Sequence, residues 1–312
     1  MPVSGRSSGG DRRDDETFVP SYSRRMNTPR HPKPRPSPSN RPQKEHRPRH
    51  GGDDHTGADK GTHRQPRRHG RPSGRGAAPY WVAGVHASQA ALENPHRTVH
   101  RVLLSAEAQE DFAGRLSVPL PSATERADRA RFTALLGADT VHQGVAVLVE
   151  PLEALDLEDA LERPGPVLVL DQVTDPRNVG AILRSAAAFG AACVVMQDRH
   201  APDEGAALAK AASGALEVVP LVRVVNLARC IDTLKQHDIW TVGLDAGGGR
   251  LDGASLGGRR AALVLGSEGD GLRRLTREGC DEIAGLYMPG TMESLNVSVA
   301  AAIGLYELVR GK

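Results

Sequence analysis

Three short segments of the sequence combine polar side chains with glycines in patterns that suit a bound ligand. The first, N-x-G-x-x-x-R, contains Asn178, Gly180 and Arg184, and four-residue spacing places Gly180 and Arg184 on the same side of a helix. The missing side chain at Gly180 leaves room for a ligand beside a guanidinium, a group that binds phosphate and hydroxyl oxygens. The same pattern also fits a helix that packs closely at Gly180 and extends Arg184 into solvent.

The second segment, L-x-x-G-x-E-x-x-G at 263–271, places Glu268 in a glycine-rich turn that begins at Gly266. Glycine lets backbone N–H and C=O groups approach a ligand closely, although any tight strand-to-helix turn also favours it. The turn matches neither the dinucleotide pattern GxGxxG nor the phosphate-binding pattern GxxxxGK[ST], because it lacks the lysine. This argues against a nucleotide enzyme and leaves the acid as the distinguishing feature of the turn.

The third segment, E-S-L-N-V-S-V-A at 293–300, opens the C-terminal helix, for which we predict Ser294 as the N-cap. Asn296 and Ser298 interrupt the apolar pattern at the helix start, where they either face a ligand or hydrogen-bond to nearby backbone groups. The apolar residues at helical spacing predict a buried stripe, which consists of Leu295, Val299, Ala302, Ile303, Tyr306 and Val309.

The first two segments follow short apolar runs that predict β-strands. These runs alternate with helical patterns, which indicates an α/β fold with a parallel sheet covered on both faces. The predicted strands are Val167–Leu170, Cys193–Met196, Glu217–Val219, Thr241–Leu244 and Ala262–Leu265. Because ligands bind at the carboxyl ends of such strands, we look for the functional site in the segments that follow them.

The helix that carries the first segment has clear boundaries in the sequence. Asp175 suits the N-cap, Pro176 suits the first helical position, and Gly190 suits the end of the helix. Arg184 lies off the predicted core face. That face consists of Val179, Ile182, Leu183, Ala186 and Phe189.

In this order, the three segments resemble the motifs of the SpoU (TrmH) class of RNA ribose 2′-O-methyltransferases, over residues 165–310. The resemblance is closest to the members that methylate a guanosine of 23S rRNA. It implies S-adenosylmethionine as methyl donor, no metal, a homodimer, and a C-terminal trefoil knot, which is rare among protein folds. The alternatives are a tRNA ribose 2′-O-methyltransferase and a non-catalytic RNA-binding protein on the same fold.

The resemblance also implies roles for individual residues. Those expected to surround the reacting ribose are Asn178, Arg184, Glu268, Ser294 and Asn296. Those expected to line the S-adenosylmethionine pocket are Gly266, Leu286, Met288, Gly290 and Leu295.

Methyl transfer to an alcohol requires alignment of the reactants and removal of the hydroxyl proton. Arg184 is the base that the resemblance suggests, but a guanidinium stays protonated in nearly all settings. We therefore interpret Arg184 as a positioning group for the phosphate and the 2′-oxygen at least as readily as a base. Glu268 would either orient Arg184 or accept the proton itself.

Residues 79–150 are expected to form a small α/β unit that precedes the parallel sheet. Its patterns are the helical HASQAALEN and the long helical TERADRARFTALL, with VHRVLLS and GVAVLVE as strands. This region resembles the family's small RNA substrate-binding domain of the ribosomal-protein-L30 type (L30e-like), with His142 and Gln143 at its end. We assign residues 151–166 to a linker and residues 167–312 to the methyltransferase domain.

Composition separates the N-terminal part of the chain from the rest. Residues 1–78 contain 18 Lys and Arg against 8 Asp and Glu, and 11 of the 22 prolines, whereas the remainder has a net charge of −8. The composition predicts a disordered basic tail that contacts RNA or merely aids solubility.

No apolar run suits a membrane span or a secretory signal, and three scattered cysteines favour reduced thiols, so we expect a cytoplasmic protein.

Overall fold

The computed structural model describes residues 78–310, and all of the predicted tail except Ala78 lies outside them. Two β-sheets organise this part of the chain, a four-stranded sheet followed by a six-stranded one. None of the helices in the described part combines the length and the apolar character that crossing a bilayer requires.

The four-stranded sheet has the order β1-β4-β2-β3, with β4 antiparallel to β1 and β2, and β3 parallel to β2. The elements are β1 (Tyr80–Ala83), α1 (Val85–Glu93), β2 (Val99–Leu104), α2 (Gln109–Arg115), β3 (Thr124–Arg126), α3 (Arg129–Leu136) and β4 (Val145–Val149). The predicted long helix is shorter than expected. Because Asp128 accepts a hydrogen bond from the Arg131 backbone N–H and caps α3, the residues before it are free to form β3.

The six-stranded sheet is parallel throughout, as predicted, and has the order β10-β8-β9-β5-β6-β7. The strands are β5 (Val167–Leu170), β6 (Cys193–Gln197), β7 (Leu221–Val224), β8 (Trp240–Arg250), β9 (Ala261–Leu265) and β10 (Glu282–Gly285). The helices are α4 (Leu157–Leu161), α5 (Pro176–Ala188), α6 (Ala206–Ala212), α7 (Leu227–Gln236), α8 (Arg274–Gly279) and α9 (Val297–Val309).

Successive residues of the central strand β5 enter two different hydrophobic cores. Leu168 and Leu170 belong to the first core, which also contains α5, α9 and much of the four-stranded sheet. Val167 and Val169 belong to the second core, which contains α4 and α7. All four side chains are buried, so helices cover both faces of the sheet.

Four of the five predicted strands are confirmed, and the one at Glu217–Val219 is wrong. Residues Ala215–Glu217 form a short 3₁₀ helix, and the strand begins at Leu221, after Pro220. The three apolar residues Val218, Val219 and Leu221 form one run in the sequence, but proline has no N–H to donate to the sheet. The strand therefore starts beyond it.

The segment predicted as a linker contains α4, whose Leu157 and Leu161 are buried in the second core. Helix α5 has the predicted boundaries. Asp175 accepts a hydrogen bond from the Arg177 backbone N–H at 2.9 Å, Pro176 is the first helical residue, and Gly190 follows with a φ of +65°. Local capping thus determines where α5 begins and ends.

The C-terminal helix α9 differs from its prediction in both its cap and its buried face. Asn296, not Ser294, accepts the capping hydrogen bond from the Ser298 N–H. The buried residues are Val297, Ala301, Gly304, Leu305 and Leu308, whereas all six residues of the predicted stripe are partly or fully exposed. The helix is apolar on nearly every side, so its sequence pattern could not select a face. The buried face contains Gly304, which packs closely against Leu263 of β9.

Candidate active site

Three side chains predicted to surround a substrate meet beyond the carboxyl ends of β5 and β9. Asn178 lies in the first turn of α5, Glu268 in the glycine-rich turn after β9, and Asn296 at the N-cap of α9. Asn178 is hydrogen-bonded there to Glu268, which is 90 positions away in the sequence, and to Asn296, which is 118 positions away. We call this set the Glu268 cluster.

The Glu268 carboxylate is the centre of this cluster. Its Oε1 accepts hydrogen bonds from Asn296 Nδ2 at 2.5 Å, from the Val297 N–H at 3.2 Å and from Asn178 Nδ2 at 3.3 Å. No residue in the range 78–310 donates a hydrogen bond to Oε2. One oxygen is therefore fixed by the protein, while the other is available to a ligand.

The orientation of the Asn296 amide is set by its own helix. Its Oδ1 accepts hydrogen bonds from the Ser298 N–H at 2.9 Å and from Ser298 Oγ at 2.6 Å. Its Nδ2 therefore points at Glu268 and at Asn178 Oδ1, which lies 3.1 Å away. Ser298, which the sequence left as either a ligand-facing or a structural residue, thus holds Asn296 in place.

The glycine-rich turn presents Glu268 at its tip. A Cβ at position 266 would overlap the backbone of Gly271, so only glycine lets the two ends of the turn come together. Gly269 and Gly271 have φ values of +99° and +66°, in the left-handed region that favours glycine. A hydrogen bond from the Gly271 N–H to the Ser267 carbonyl closes the turn.

Arg184 stands apart from the Glu268 cluster. Its side chain is exposed on α5 and makes no hydrogen bond or ion pair with any residue between 78 and 310. Glu268 is hydrogen-bonded to the two asparagines and not to Arg184. These contacts do not support the interpretation in which Glu268 orients Arg184. Arg184 is instead free to meet a ligand.

The space that Gly180 leaves is filled by the protein. A Cβ at this position would lie 2.5 Å from the Leu208 carbonyl oxygen and 2.6 Å from the Ala211 Cβ, both on α6. Of the two interpretations of Gly180, close helix packing is therefore correct and room for a ligand is wrong. Burial of Gly180 against α6 fixes the helix that carries Asn178 and Arg184.

The residues predicted for the cofactor lie mainly in segment 286–296, which connects β10 to α9 without helix or strand. Leu286, Met288 and Leu295 are half-buried, and Gly290 is exposed. Ser294 is exposed too, and makes no hydrogen bond within the described part of the chain.

Among residues 78–310, no group of three His, Cys, Asp or Glu side chains is arranged to hold a metal ion.

Asp171 and Arg273 form an ion pair that the sequence did not predict. The Asp171 side chain is fully buried and accepts hydrogen bonds from Arg273 Nε at 2.6 Å and from the Arg273 N–H at 3.0 Å. Arg273 also donates to Gln197 Oε1 at 2.9 Å. The pair ties the loop after β5 and the end of β6 to the N-cap of α8. The available signal in the sequence was an acid directly after the apolar run VLVL.

A sequence model of the SpoU rRNA Methylase family matches residues 165–306. The chain is 41% identical to the 23S rRNA (guanosine-2'-O-)-methyltransferase RlmB of Xylella fastidiosa over 244 residues, which cover 74% of this chain and 96% of that protein. It is 42% identical to the RlmB of Vibrio parahaemolyticus over 247 residues, with 74% and 96% covered.

Among solved structures, the SpoU methyltransferase AviRb from Streptomyces viridochromogenes, in complex with the cofactor AdoMet, is similar with a TM-score of 0.63 and 26% identity. The match covers 75% of this chain and 90% of AviRb. The similarity to full-length relatives thus extends through both sheets, and the glycine-rich turn with the Glu268 cluster falls within the matched family region. This chain belongs to the SpoU methyltransferase family.

Proposed function

We propose that this protein transfers a methyl group from S-adenosylmethionine to the ribose 2′-hydroxyl of a guanosine in 23S rRNA. The observation that carries the proposal is the Glu268 cluster, in a chain about 40% identical to enzymes named for this reaction over almost their whole length. A tRNA substrate is the second candidate, because the chemistry at a ribose does not distinguish the two RNAs.

The residues proposed for the cofactor suit its chemistry. Leu286, Met288 and Leu295 offer half-buried apolar surface, and the backbone of segment 286–296 is not committed to a helix or sheet. Such a lining suits the adenine ring and the carbon chain of S-adenosylmethionine, with few charged contacts. S-adenosylmethionine, when bound, supplies a methyl group on a positively charged sulfur.

The chain's own residues align the ribose and handle its proton. Glu268 is held through Oε1, so its Oε2 is positioned to accept a hydrogen bond, and then the proton, from the 2′-hydroxyl. Arg184 binds the adjacent phosphate and the 2′-oxygen, because a protonated guanidinium is better suited to positioning than to proton removal. Asn178 and Asn296 keep Glu268 in place, and Ser294 borders the ribose.

We further propose that the small α/β unit, residues 79–150, is an L30e-like domain that holds the RNA. A cleft of about 1090 Å³ lies on it between α3 and the loop that contains His142 and Gln143. His142 is stacked on the buried Phe132 at 4.2 Å, and its Nδ1 accepts a hydrogen bond from the Gly144 N–H. Burial lowers the pKa of His142 and Arg129 lowers it further, so the ring presents a neutral Nε2–H donor.

A homodimer is part of the same proposal. Three apolar side chains of α9 lie on the face turned away from the core: Val299 is 45% exposed, Ile303 39% and Tyr306 51%. An apolar stripe of this kind on a helix suits contact with a second copy of the chain. The stripe that the sequence assigned to the core would then be buried by the partner.

We also propose that residues 1–78 are an RNA-binding tail and that the protein is cytoplasmic. A further proposal is that the C-terminal part of the chain forms a trefoil knot. Segment 245–253 supports the knot because it contacts elements on both sides of the C-terminal connection. Gly248 lies so close to β10 that a Cβ would meet the Ile283 carbonyl oxygen at 2.5 Å, and Gly253 has no room for a side chain beside Glu307 of α9.

Mapping of ribose methylation in cells with and without the gene tests this function. We expect one guanosine of 23S rRNA to lose its 2′-O-methyl group when the gene is deleted, and to regain it when the wild-type gene is restored. A loss confined to tRNA would favour the second candidate. Unchanged methylation of both RNAs would contradict the proposal.

A further inference from the structure

A buried group of charged residues lies between the two sheets, away from the Glu268 cluster. Its centre is Arg97, whose side chain is fully buried. Two carboxylates of the six-stranded part flank it: Glu204, 11% exposed, and Glu217, 5% exposed. Tyr80 and Asn94 complete the set, which we call the Arg97 joint.

All three nitrogens of the Arg97 guanidinium donate hydrogen bonds in the joint. NH1 donates to Glu204 Oε1 at 2.6 Å and to the Glu150 carbonyl at 2.7 Å. Nε and NH2 donate to the two oxygens of Glu217 at 3.0 and 2.6 Å, in the paired geometry that only arginine provides.

The remaining members donate in the same direction. Tyr80 Oη donates to Glu204 Oε1 at 2.8 Å, and Asn94 Nδ2 donates to Glu217 Oε2 at 2.8 Å. The side-chain donors thus come from the small unit and both carboxylates from the methyltransferase part, and the Leu152 N–H adds hydrogen bonds to Glu204 at 3.2 Å. The joint therefore specifies how the two parts fit together.

Close apolar packing surrounds the joint. A Cβ at Gly214 would lie 3.0 Å from the Ala90 Cβ of α1, and Ala87 and Ala91 of α1 share the first core with Leu216. From there the packing continues through α6 to Gly180 on α5. A continuous set of contacts thus connects the small unit to the helix that carries Asn178 and Arg184.

The charges of the joint make it selective for one arrangement. One cation faces two carboxylates, and a buried ion pair adds little to stability compared with apolar packing but is costly to break on one side. Its contribution is therefore to the geometry of the two parts more than to their folding.

We infer that Arg97 is a positioning residue for RNA methylation. It fixes the distance and angle between the RNA held on the small unit and the Glu268 cluster, so that one ribose is presented to the methyl donor. This inference rests on the proposed function. It adds that the choice of nucleotide depends on a joint that contacts neither RNA nor cofactor.

The test compares Arg97→Met with Arg115→Met in the full-length protein. Arg115 makes an exposed ion pair with Asp111 inside the small unit, so its loss serves as the matched control. With RNA at saturation, we expect kcat of Arg97→Met to fall about 100-fold, as displacement of reacting groups by about 1 Å can do, with KM for RNA little changed. Methylation should also spread to neighbouring nucleotides. The control should behave like the wild type.

Two further measurements keep the test decisive. Hydrogen–deuterium exchange, which needs no activity, should rise in α1 and around Gly214 but not in α7, which packs on the other face of the sheet. A second variant, Arg97→Met with Glu204→Gln and Glu217→Gln, removes the unpaired carboxylates and should recover part of kcat.

Exchange that stays at wild-type levels around the joint would overturn the inference, as would an Arg97→Met enzyme with normal kcat and one methylated nucleotide. If the single variant does not fold, the triple variant supplies the same readouts. Absence of methylation in the wild-type protein would instead contradict the proposed function, while the exchange data would still test the joint.

Discussion

At the residue scale, the Glu268 carboxylate is held by hydrogen-bond donors from two different helices. The orientation of the acid therefore depends on its neighbours. Asn178 and Asn296 reach it from the starts of α5 and α9, and Ser298 fixes the Asn296 amide. A rigid carboxylate with one available oxygen suits a proton acceptor, whereas the exposed Arg184 suits a phosphate. The two roles can be separated by substitution.

Arg184→Ala should reduce methyl transfer strongly and leave S-adenosylmethionine affinity nearly unchanged. The side chain is exposed, so its loss should alter the free energy of unfolding by only about 0.5 kcal/mol. Arg184→Lys then distinguishes the roles, because lysine lacks the planar fork but gives up a proton more easily. If Arg184 positions the substrate, Lys should be nearly as inactive as Ala. Activity of the Lys variant that rises with pH would instead identify Arg184 as the base, and Arg177→Ala is the control.

Glu268→Gln should lower kcat by about 10²- to 10⁴-fold, the usual contribution of a general base. The amide can still accept the hydrogen bonds from Asn296 and Val297, so the cluster and the affinity for S-adenosylmethionine should persist. Single-turnover kinetics with calorimetry of cofactor binding provide the measurement. A variant with wild-type kcat would assign the proton to another group.

At the element scale, the sequence predicted those features that depend on local chemistry. The limits of α5 follow from Asp175, Pro176 and Gly190, and β5 is an uninterrupted apolar run. Features that depend on tertiary contacts could not be predicted in the same way. The face of α9 is chosen by packing at Gly304, and the partners of Glu268 come from segments distant in the sequence.

The two interpretations of Gly180 also show this limit, because the neighbouring helix α6 decides between them. Gly180→Ala should destabilise the protein by about 1–3 kcal/mol, since the added methyl would press on the Leu208 carbonyl oxygen and on Ala211. Gly114→Ala is the control. Gly114 lies in α2 with no atom within 4 Å of an added Cβ, so alanine there should stabilise by about 0.5–1 kcal/mol.

Denaturant unfolding of the two variants measures both effects. If Gly180→Ala proved as stable as the wild type, the contact between α5 and α6 would be looser than these distances indicate.

At the scale of the whole molecule, α9 is apolar on two faces but the described chain buries only one. The exposed face carries Val299, Ile303 and Tyr306, which the sequence pattern predicted to be buried. If a second copy of the chain covers this face, the apolar pattern is explained by the dimer contact. Function and assembly would then meet in one helix, because the N-cap of α9 is Asn296 of the Glu268 cluster.

Ile303→Glu should convert the proposed dimer to a monomer, because it would place a charge in the apolar contact that we propose. Sedimentation of the wild type should give twice the chain mass of 33.2 kDa, and sedimentation of the variant a single chain. Glu307 lies on the same helix and forms an ion pair with Arg310, so Arg310→Ala is a control that should remain dimeric. A wild-type protein that sediments only as a single chain would contradict the proposed dimer.

The most direct measurement of the central claim uses the purified protein, S-adenosylmethionine labelled in its methyl group, and 23S rRNA. A 2′-O-methyl group removes the hydroxyl that alkali needs to cleave the next phosphodiester bond. We therefore predict that the label remains in an alkali-resistant dinucleotide with guanosine on its 5′ side, and that it disappears with Glu268→Gln. Label in single nucleotides after alkaline hydrolysis, or on a base, would contradict ribose methylation by this protein.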